Sequence, residues 1–146
     1  IRDTGFCTVK TRMNDNRMKR VRVMLETRSD GGGETLDGKG GYEFRKSGSR
    51  LYFTADGASF ELLTGNDLRI VRKGEVSYEL RFCVGEPTEC FIETPYGNIH
   101  AAVRTDSMQI NCSPSHAEIN VEYTLGIGGG SSAHSMRFAV LPYFNK

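Results

Sequence analysis

The sequence predicts an all-β fold, a closed or nearly closed antiparallel up-and-down β-barrel. Three observations lead to this expectation. Apolar and polar residues alternate in many short segments, and successive side chains of a strand point to opposite faces of a sheet. Glycine makes up 17 of the 146 residues and falls mostly between these segments, as tight turns require. No window repeats apolar residues at helical spacing without an interrupting glycine or proline, so no substantial helix is expected.

Twelve short strands are predicted in chain order, at residues 6–13, 18–28, 41–46, 50–55, 58–64, 67–73, 75–83, 88–94, 97–104, 107–113, 117–125 and 135–142. Alternation is clearest in Val21–Leu25, Val76–Phe82 and Ile119–Leu125, where every second residue is apolar. Turn signals separate nearly all of the strands, because glycine, asparagine and aspartate accept the positive φ that tight hairpins demand. These signals are Asn14-Asp15-Asn16, Ser47-Gly48, Asp56-Gly57, Gly65-Asn66, Lys73-Gly74, Pro95-Tyr96-Gly97, Thr105-Asp106 and Ser113-Pro114.

Closure of the sheet follows from the number of strands. A dozen short strands in one flat sheet would leave exposed edges, whereas a barrel removes the edges and buries the apolar faces. A two-sheet sandwich is the alternative architecture. Asp30–Gly41 and Gly126–Ala133 are rich in glycine and serine and are predicted as longer loops. Neither loop marks a domain boundary, so one domain is expected over residues 1–146.

Composition and charge exclude several classes of partner. The chain is 38% hydrophobic and 25% charged, which suffices for a sizeable core. Its net charge of +1 argues against a nucleic-acid partner. The basic hairpin around Arg20 and Arg22 lacks the exposed aromatic platform on which bases stack, and a solvated strand face explains it equally well. No apolar run approaches the roughly 20 residues of a membrane span, so no membrane partner is expected.

One central segment carries a specific resemblance. Arg72-Lys73-Gly74-Glu75-Val76, followed after four residues by Arg81-Phe82 and after two more by Gly85, follows the pattern R-x-G-x-V-x(4)-R-F-x(2)-G. This pattern resembles the YwiB-like family of bacterial proteins, whose function is unknown and whose fold is a calycin-like, or lipocalin-like, β-barrel. The resemblance implies a closed barrel in a bacterial cytoplasm. It implies no activity.

Weaker similarity to the same family extends on both sides of this segment. Gly41-Tyr42 and Leu51-Tyr52-Phe53 fall where the family has a glycine-aromatic pair followed by a hydrophobic strand. Thr88, Gly97 and Ile119–Leu125 fall where its later hairpins lie. The chain departs from the family in carrying four cysteines.

Neither a catalytic nor a metal-binding constellation is found in the sequence. The cysteines are Cys7, Cys83, Cys90 and Cys112, and the histidines are His100, His116 and His134. No C-x-x-C pair is present, and the histidines have no metal-ligand spacing, so no metal and no cofactor are expected. Free thiols are expected, with a disulfide between Cys83 and Cys90 as the alternative. The run from Gly126 to Ser132 lacks the Lys-Ser/Thr pair of a phosphate-binding loop, and no nucleophile elbow occurs.

Five residues are candidates for a ligand site. Arg72 has the strand parity of its apolar neighbours and should point into the barrel, where a guanidinium needs a partner. That partner is either a set of loop carbonyls, which would make Arg72 a structural cap, or an anionic ligand. Tyr42, Tyr78 and Tyr123 have polar tips that can line a cavity or reach a partner from the core. Arg81 has the opposite parity and should face outwards unless a bulge redirects it.

Three functions of different classes remain open. The first is the binding of a small apolar or amphipathic ligand, with an anionic group if Arg72 contacts it, inside the barrel. The second is a protein–protein interaction module whose barrel is filled by side chains. The third is an enzyme, for which the sequence shows no positive constellation. A small-molecule partner is therefore expected, and the chain is expected to be a monomer or a homodimer.

Overall fold

Ten β-strands run through residues 18–142, the part of the chain that the computed structural model describes. They are β1 (Lys19–Ser29), β2 (Gly32–Glu43), β3 (Arg50–Ala55), β4 (Ala58–Thr64), β5 (Leu68–Lys73), β6 (Ser77–Phe82), β7 (Thr88–Thr94), β8 (Gly97–Ser113), β9 (His116–Ile127) and β10 (Gly130–Pro142). Within residues 18–142 no helix is long and apolar enough to cross a membrane. The predicted strand 6–13 lies outside the described residues, as does Cys7.

The sheet closes on itself through its first and last described strands. Each strand pairs antiparallel with its neighbours in the chain, and β1 also pairs with β10 from Val21↔Pro142 to Ser29↔His134. The predicted closed up-and-down barrel is thereby confirmed, and the sandwich alternative was wrong. On β1, Val21, Val23 and Leu25 are buried as their alternation predicts. We call the end that carries the turns after β1, β3, β5, β7 and β9 the hairpin end.

Two loop predictions were wrong, and most of the first predicted loop is part of strand β2 instead. Residues 32–43 form one strand, which replaces most of the predicted loop 30–41 and the predicted strand 41–46. A Cβ atom on Gly38 would lie 2.5 Å from the Thr54 carbonyl oxygen, and one on Gly40 would overlap the Tyr52 carbonyl oxygen. The glycines are therefore present because the backbones of β2 and β3 approach closely, which is an established reason for glycine within a strand.

The second wrong loop, 126–133, is a tight hairpin. β9 continues to Ile127 and β10 begins at Gly130, so only Gly128 and Gly129 form the turn. Their φ angles are 63° and 130°, a region that glycine enters without steric cost. Glycine and serine are frequent here because the turn needs them and because the strand ends tolerate them.

The predicted strands 97–104 and 107–113 are joined in β8. The pairing of β8 with β9 shifts register between Thr105 and Ser107, which marks a β-bulge. A bulge reverses the alternation of faces. Ala101 and Val103 therefore point inward before it, and Met108 and Ile110 pack against the core after it.

Apolar side chains fill the middle of the barrel. Phe53 stacks on Phe60 with ring centroids 4.8 Å apart, and it meets the edge of Phe138 at 6.2 Å. At the end opposite the hairpin end, the Tyr42 hydroxyl donates to the Ser113 carbonyl oxygen at 2.7 Å and links β2 to β8. Space for a ligand must therefore be sought near the hairpin end or in the barrel wall.

Candidate functional site

Four inward-facing polar or sulfur-containing side chains lie between the middle of the barrel and its hairpin end. They are Arg72 on β5, Tyr78 on β6, Cys90 on β7 and Tyr123 on β9, and we call them the tyrosine–arginine cluster. The register of β5 and β6 pairs Arg72 with Tyr78. The charge of Arg72 acts on Tyr78, and Tyr78 and Cys90 both act on Tyr123. Sequence parity predicted three of these four residues as candidates.

The described part of the chain engages only some of the N–H donors of Arg72. It donates a hydrogen bond to the Val76 carbonyl oxygen, and its guanidinium carbon lies 5.6 Å from the centroid of the Phe60 ring. Of the two roles predicted for Arg72, these two contacts agree with the structural cap. A guanidinium carries five N–H donors. No other hydrogen bond from Arg72 to any residue in 18–142 is found, so the remaining N–H groups of this half-buried side chain can meet a ligand.

The hydroxyls of Tyr78 and Tyr123 have no hydrogen-bond partner within residues 18–142. Tyr123 is only 4% exposed. Its ring lies between Phe82, at 4.8 Å, and His134, at 5.4 Å between centroids. His134 is held in turn by a 2.7 Å hydrogen bond between its Nε2 and Ser132 Oγ. The Tyr123 ring is thus fixed, while its hydroxyl is not hydrogen-bonded to any of the described residues.

Burial governs the ionisation of the cluster. Burial raises the pKa of Tyr78 to about 12, against the opposing effect of the Arg72 charge. Burial also raises the pKa of Tyr123 above its usual range, with further increases from Tyr78 and Cys90. The pKa of the Cys90 thiol is raised by burial as well. At neutral pH both phenols are protonated, so each can donate a hydrogen bond.

The wall of the barrel is weakest between β6 and β7. Only Ser77↔Glu93 and Tyr78↔Ile92 pair between these strands, fewer than in any other ladder of the described barrel. Further along, the Thr88 hydroxyl donates to the Arg81 carbonyl oxygen at 2.6 Å, so a side chain bridges the strands there. A cleft of about 740 Å³ follows this seam, and we call it the β6–β7 cleft. Its volume is within the range of small-molecule sites.

Arg72 and Tyr78 are the members of the cluster that line the β6–β7 cleft, and the lining contains both positive and negative side chains. Tyr78 and Phe91 supply aromatic surface, and Phe91 is 63% exposed. The charged side chains that line the cleft are Arg72, Lys73, Arg81, Glu79, Glu89 and Glu93. Three positive charges therefore face three negative ones, which favours a ligand of low net charge.

The remaining two candidates lie outside the tyrosine–arginine cluster. Arg81 faces outwards, as its parity predicts, and forms an ion pair with Asp67 at 2.6 Å on the outer side of the cleft. Tyr42 lies at the opposite end of the barrel, where its hydroxyl donates to Ser113. The structure thus brings Arg72, Tyr78 and Tyr123 together and leaves Tyr42 apart from them.

Sequence reasoning missed two residues of the site. Cys90 was expected to be a free thiol, which it is, but its electrostatic effect on Tyr78 and Tyr123 was not predicted. His134 was not assigned a role, although it has the same strand parity as the buried Met136 and Phe138. That shared parity was the available signal that His134 faces inward.

Other chemistry-bearing residues do not form a site in the described part of the chain. Cys83, Cys90 and Cys112 are free thiols. Within residues 18–142 no group of three or more histidine, cysteine, aspartate or glutamate side chains could hold a metal ion. His100 contacts Glu89 at 3.2 Å on the surface.

Comparisons with known proteins agree on the fold. The family described as "domain of unknown function (DUF1934)" matches residues 35–137, which include the Arg72–Gly85 motif. A solved structure of the YwiB protein from Bacillus subtilis is similar with a TM-score of 0.65 and 18% sequence identity. The similarity covers 89% of this chain and 98% of that one. No curated protein matches the chain significantly.

Proposed function

This chain belongs to the DUF1934 family of domains of unknown function, and from the chemistry of its tyrosine–arginine cluster we propose that this calycin-like barrel binds a small amphipathic ligand. The family supplies no activity, so the proposal depends on the site. The anionic group of the ligand contacts Arg72, and its apolar part lies against Tyr78 and Phe91 in the β6–β7 cleft. The role is binding without catalysis.

One observation carries this proposal. Arg72 and Tyr78 line a cleft of about 740 Å³, and within residues 18–142 the Tyr78 hydroxyl and several N–H groups of Arg72 have no partner. Buried polar groups in folded proteins are nearly always hydrogen-bonded. Donors next to a cleft that no residue in 18–142 engages are accessible to a ligand, which supports a binding role.

The packed core supports a ligand position away from the barrel axis. Phe53, Phe60 and Phe138 occupy the middle of the barrel, so a ligand does not extend along the barrel axis. It enters through the weakly paired seam between β6 and β7 and reaches the cluster from the side. The predicted ligand position inside the barrel is thus refined to its wall and its hairpin end.

A pair of matched dyes tests this proposal. Anilinonaphthalene sulfonate (ANS) is an amphipathic anion, and phenylnaphthylamine (NPN) has a similar aromatic frame without the charge. We expect the wild-type protein to bind ANS more tightly than NPN, as measured by fluorescence titration. Arg72→Gln should weaken ANS binding about tenfold, because a hydrogen bond to a charged group contributes about 1.5 kcal/mol or more. It should leave NPN binding unchanged.

Arg69→Gln is the matched control for Arg72→Gln. Arg69 lies on the same strand but faces solvent, where it pairs with Glu79 at 3.2 Å. Its replacement should change neither dye affinity nor melting. Equal affinity of the wild-type protein for both dyes would contradict the proposal. Loss of cooperative melting in Arg72→Gln would instead assign the guanidinium to a structural cap.

A second candidate function, an interaction module, is favoured by exposed aromatic residues on the β7–β8 hairpin. Phe91 and Tyr96 are 63% and 99% exposed. If this hairpin joins two copies of the chain, sedimentation equilibrium will show a concentration-dependent dimer that Phe91→Ser dissociates. Tyr52→Ser, a change at an exposed aromatic residue on another strand, is the control. A chain that stays monomeric at high concentration would exclude the homodimer.

A further inference from the structure

A serine and a histidine are in direct contact on β10, near the hairpin end of the barrel. Ser132 and His134 are two residues apart on this strand, so their side chains share one face of the sheet. Both side chains are half-buried, and Ser132 Oγ lies 2.7 Å from Nε2 of His134. A hydroxyl within hydrogen-bond reach of an imidazole is the arrangement that activates a serine nucleophile. We call these two residues the serine–histidine pair.

The imidazole of the serine–histidine pair is held by a neighbouring ring. His134 lies opposite Tyr123 in the register of β9 and β10, and the two rings stack at 5.4 Å with an angle of 17° between their planes. In the tautomer with its proton on Nδ1, His134 accepts a hydrogen bond from Ser132 Oγ through Nε2, as a general base must. The stacking therefore keeps the base in position before a substrate binds.

A small open cavity lies beside the pair, and His134 is part of its lining. Its volume of about 360 Å³ is near the lower limit for small-molecule sites. Besides His134, the lining contains one positive and one negative side chain, Arg28 and Glu34, so these two charges cancel. A small substrate without net charge therefore fits this cavity best.

We propose that Ser132 is a nucleophile toward small uncharged esters, with His134 as its general base. Ser132 Oγ attacks the carbonyl carbon of the ester while Nε2 of His134 takes the hydroxyl proton. The bond between the carbonyl carbon and the alcohol oxygen then breaks, the alcohol leaves with that proton, and the acyl group stays on Ser132. Water hydrolyses this acyl-serine by the same proton transfers, which releases the acid and restores the hydroxyl.

This reaction is expected to be slower than that of a complete catalytic triad. Within residues 18–142 no carboxylate hydrogen-bonds Nδ1 of His134, whereas a triad has an acidic residue there. Neither Ser132 nor His134 lines the β6–β7 cleft. The inference therefore goes beyond the proposed binding role of that cleft and does not depend on it.

A fluorophosphonate probe tests the nucleophile. The probe forms a phosphorus–oxygen bond to an activated serine with loss of fluoride, and peptide mass spectrometry then locates the label. We expect wild-type protein to be labelled at Ser132 and Ser132→Ala to lose the label. Ser131→Ala is the matched control, because Ser131 is the exposed neighbour on the other face of β10, and it should be labelled like the wild type. Wild-type protein without a label at Ser132 would overturn the proposal.

The release of p-nitrophenol from p-nitrophenyl acetate tests the general base. The rate measured for Ser132→Ala is subtracted as the contribution of other groups. His134→Gln should lower the remaining rate about 100-fold, because a positioned general base contributes at least that much. His134→Phe, which keeps a ring against Tyr123 but has no nitrogen, should be equally slow, and thermal melting will show that it is folded.

Two results of the ester assay would contradict the inference. If wild-type protein releases p-nitrophenol no faster than Ser132→Ala, Ser132 is not a nucleophile toward esters. If folded His134→Phe or His134→Gln reacts at the wild-type rate, His134 is not the base, and its bond to Ser132 only positions the two side chains.

Discussion

Replacement of Gly40 by alanine is expected to destabilise the barrel by about 4 kcal/mol or more, a loss that few single substitutions cause. A methyl group at this position overlaps the Tyr52 carbonyl oxygen and approaches the Phe53 Cα at 2.5 Å. Both atoms belong to the backbone of β3, which is held by its pairing with β2 and with β4. The clash cannot be relieved by a side-chain rotation. Urea unfolding followed by circular dichroism will measure the loss.

Gly31→Ala is the matched control for this substitution. Gly31 lies in the β1–β2 turn, and a Cβ atom there would meet nothing within 4 Å. We expect its stability to stay within about 0.5 kcal/mol of the wild type. A Gly40→Ala protein with near-wild-type stability would contradict the close approach of β2 and β3.

Strands were predicted correctly where apolar and polar residues alternate along the chain. The predicted strands 50–55, 58–64 and 88–94 coincide with β3, β4 and β7, because each carries a regular pattern between clear turn signals. In β2, Gly38 and Gly40 provide no such pattern. They are required by a contact with β3, and a contact between strands leaves no local signal in the glycine-rich segment itself.

Local sequence patterns also explain which part of the candidate site was predicted. Parity correctly placed Arg72 and Tyr78 on the inner side of their strands, since parity is a property of each strand alone. The height of a residue in the barrel depends on the stagger of all ten described strands. Parity alone therefore did not reveal that Tyr42 and Tyr123 lie apart. Nor did it reveal that, within residues 18–142, the hydroxyl of Tyr42 has a hydrogen-bond partner and that of Tyr123 has none.

The burial of three tyrosines predicts that the barrel unfolds in alkali. Burial raises the pKa values of Tyr42, Tyr78 and Tyr123 above the value of 10.0 for an unperturbed phenol. Below pH 10 both the folded and the unfolded chain keep these protons, so stability does not depend on them. Above it the unfolded chain loses protons that the folded barrel retains, and the unfolded state is favoured.

The expected loss is steep. Each tyrosine contributes about 1.4 kcal/mol per pH unit while its phenol is ionised only in the unfolded chain. For Tyr78 this range extends from pH 10 to the folded pKa of about 12. Urea unfolding at a series of pH values, with tyrosinate absorbance recorded in parallel, should show stability falling as the buried phenols ionise together with unfolding.

Tyr78→Phe isolates the contribution of one phenol to this loss. Between pH 10 and about 12, the free energy of unfolding should fall less steeply in the variant than in the wild type. The difference should be about 1.4 kcal/mol for each pH unit, because one ionising group has been removed. Other groups that titrate in alkali, such as the Cys90 thiol, affect the stability of both proteins equally. They therefore do not contribute to the difference in stability between the variant and the wild type. Parallel stability curves for the two proteins above pH 10 would show that Tyr78 ionises equally well in the folded barrel, and its hydroxyl would then be in contact with water.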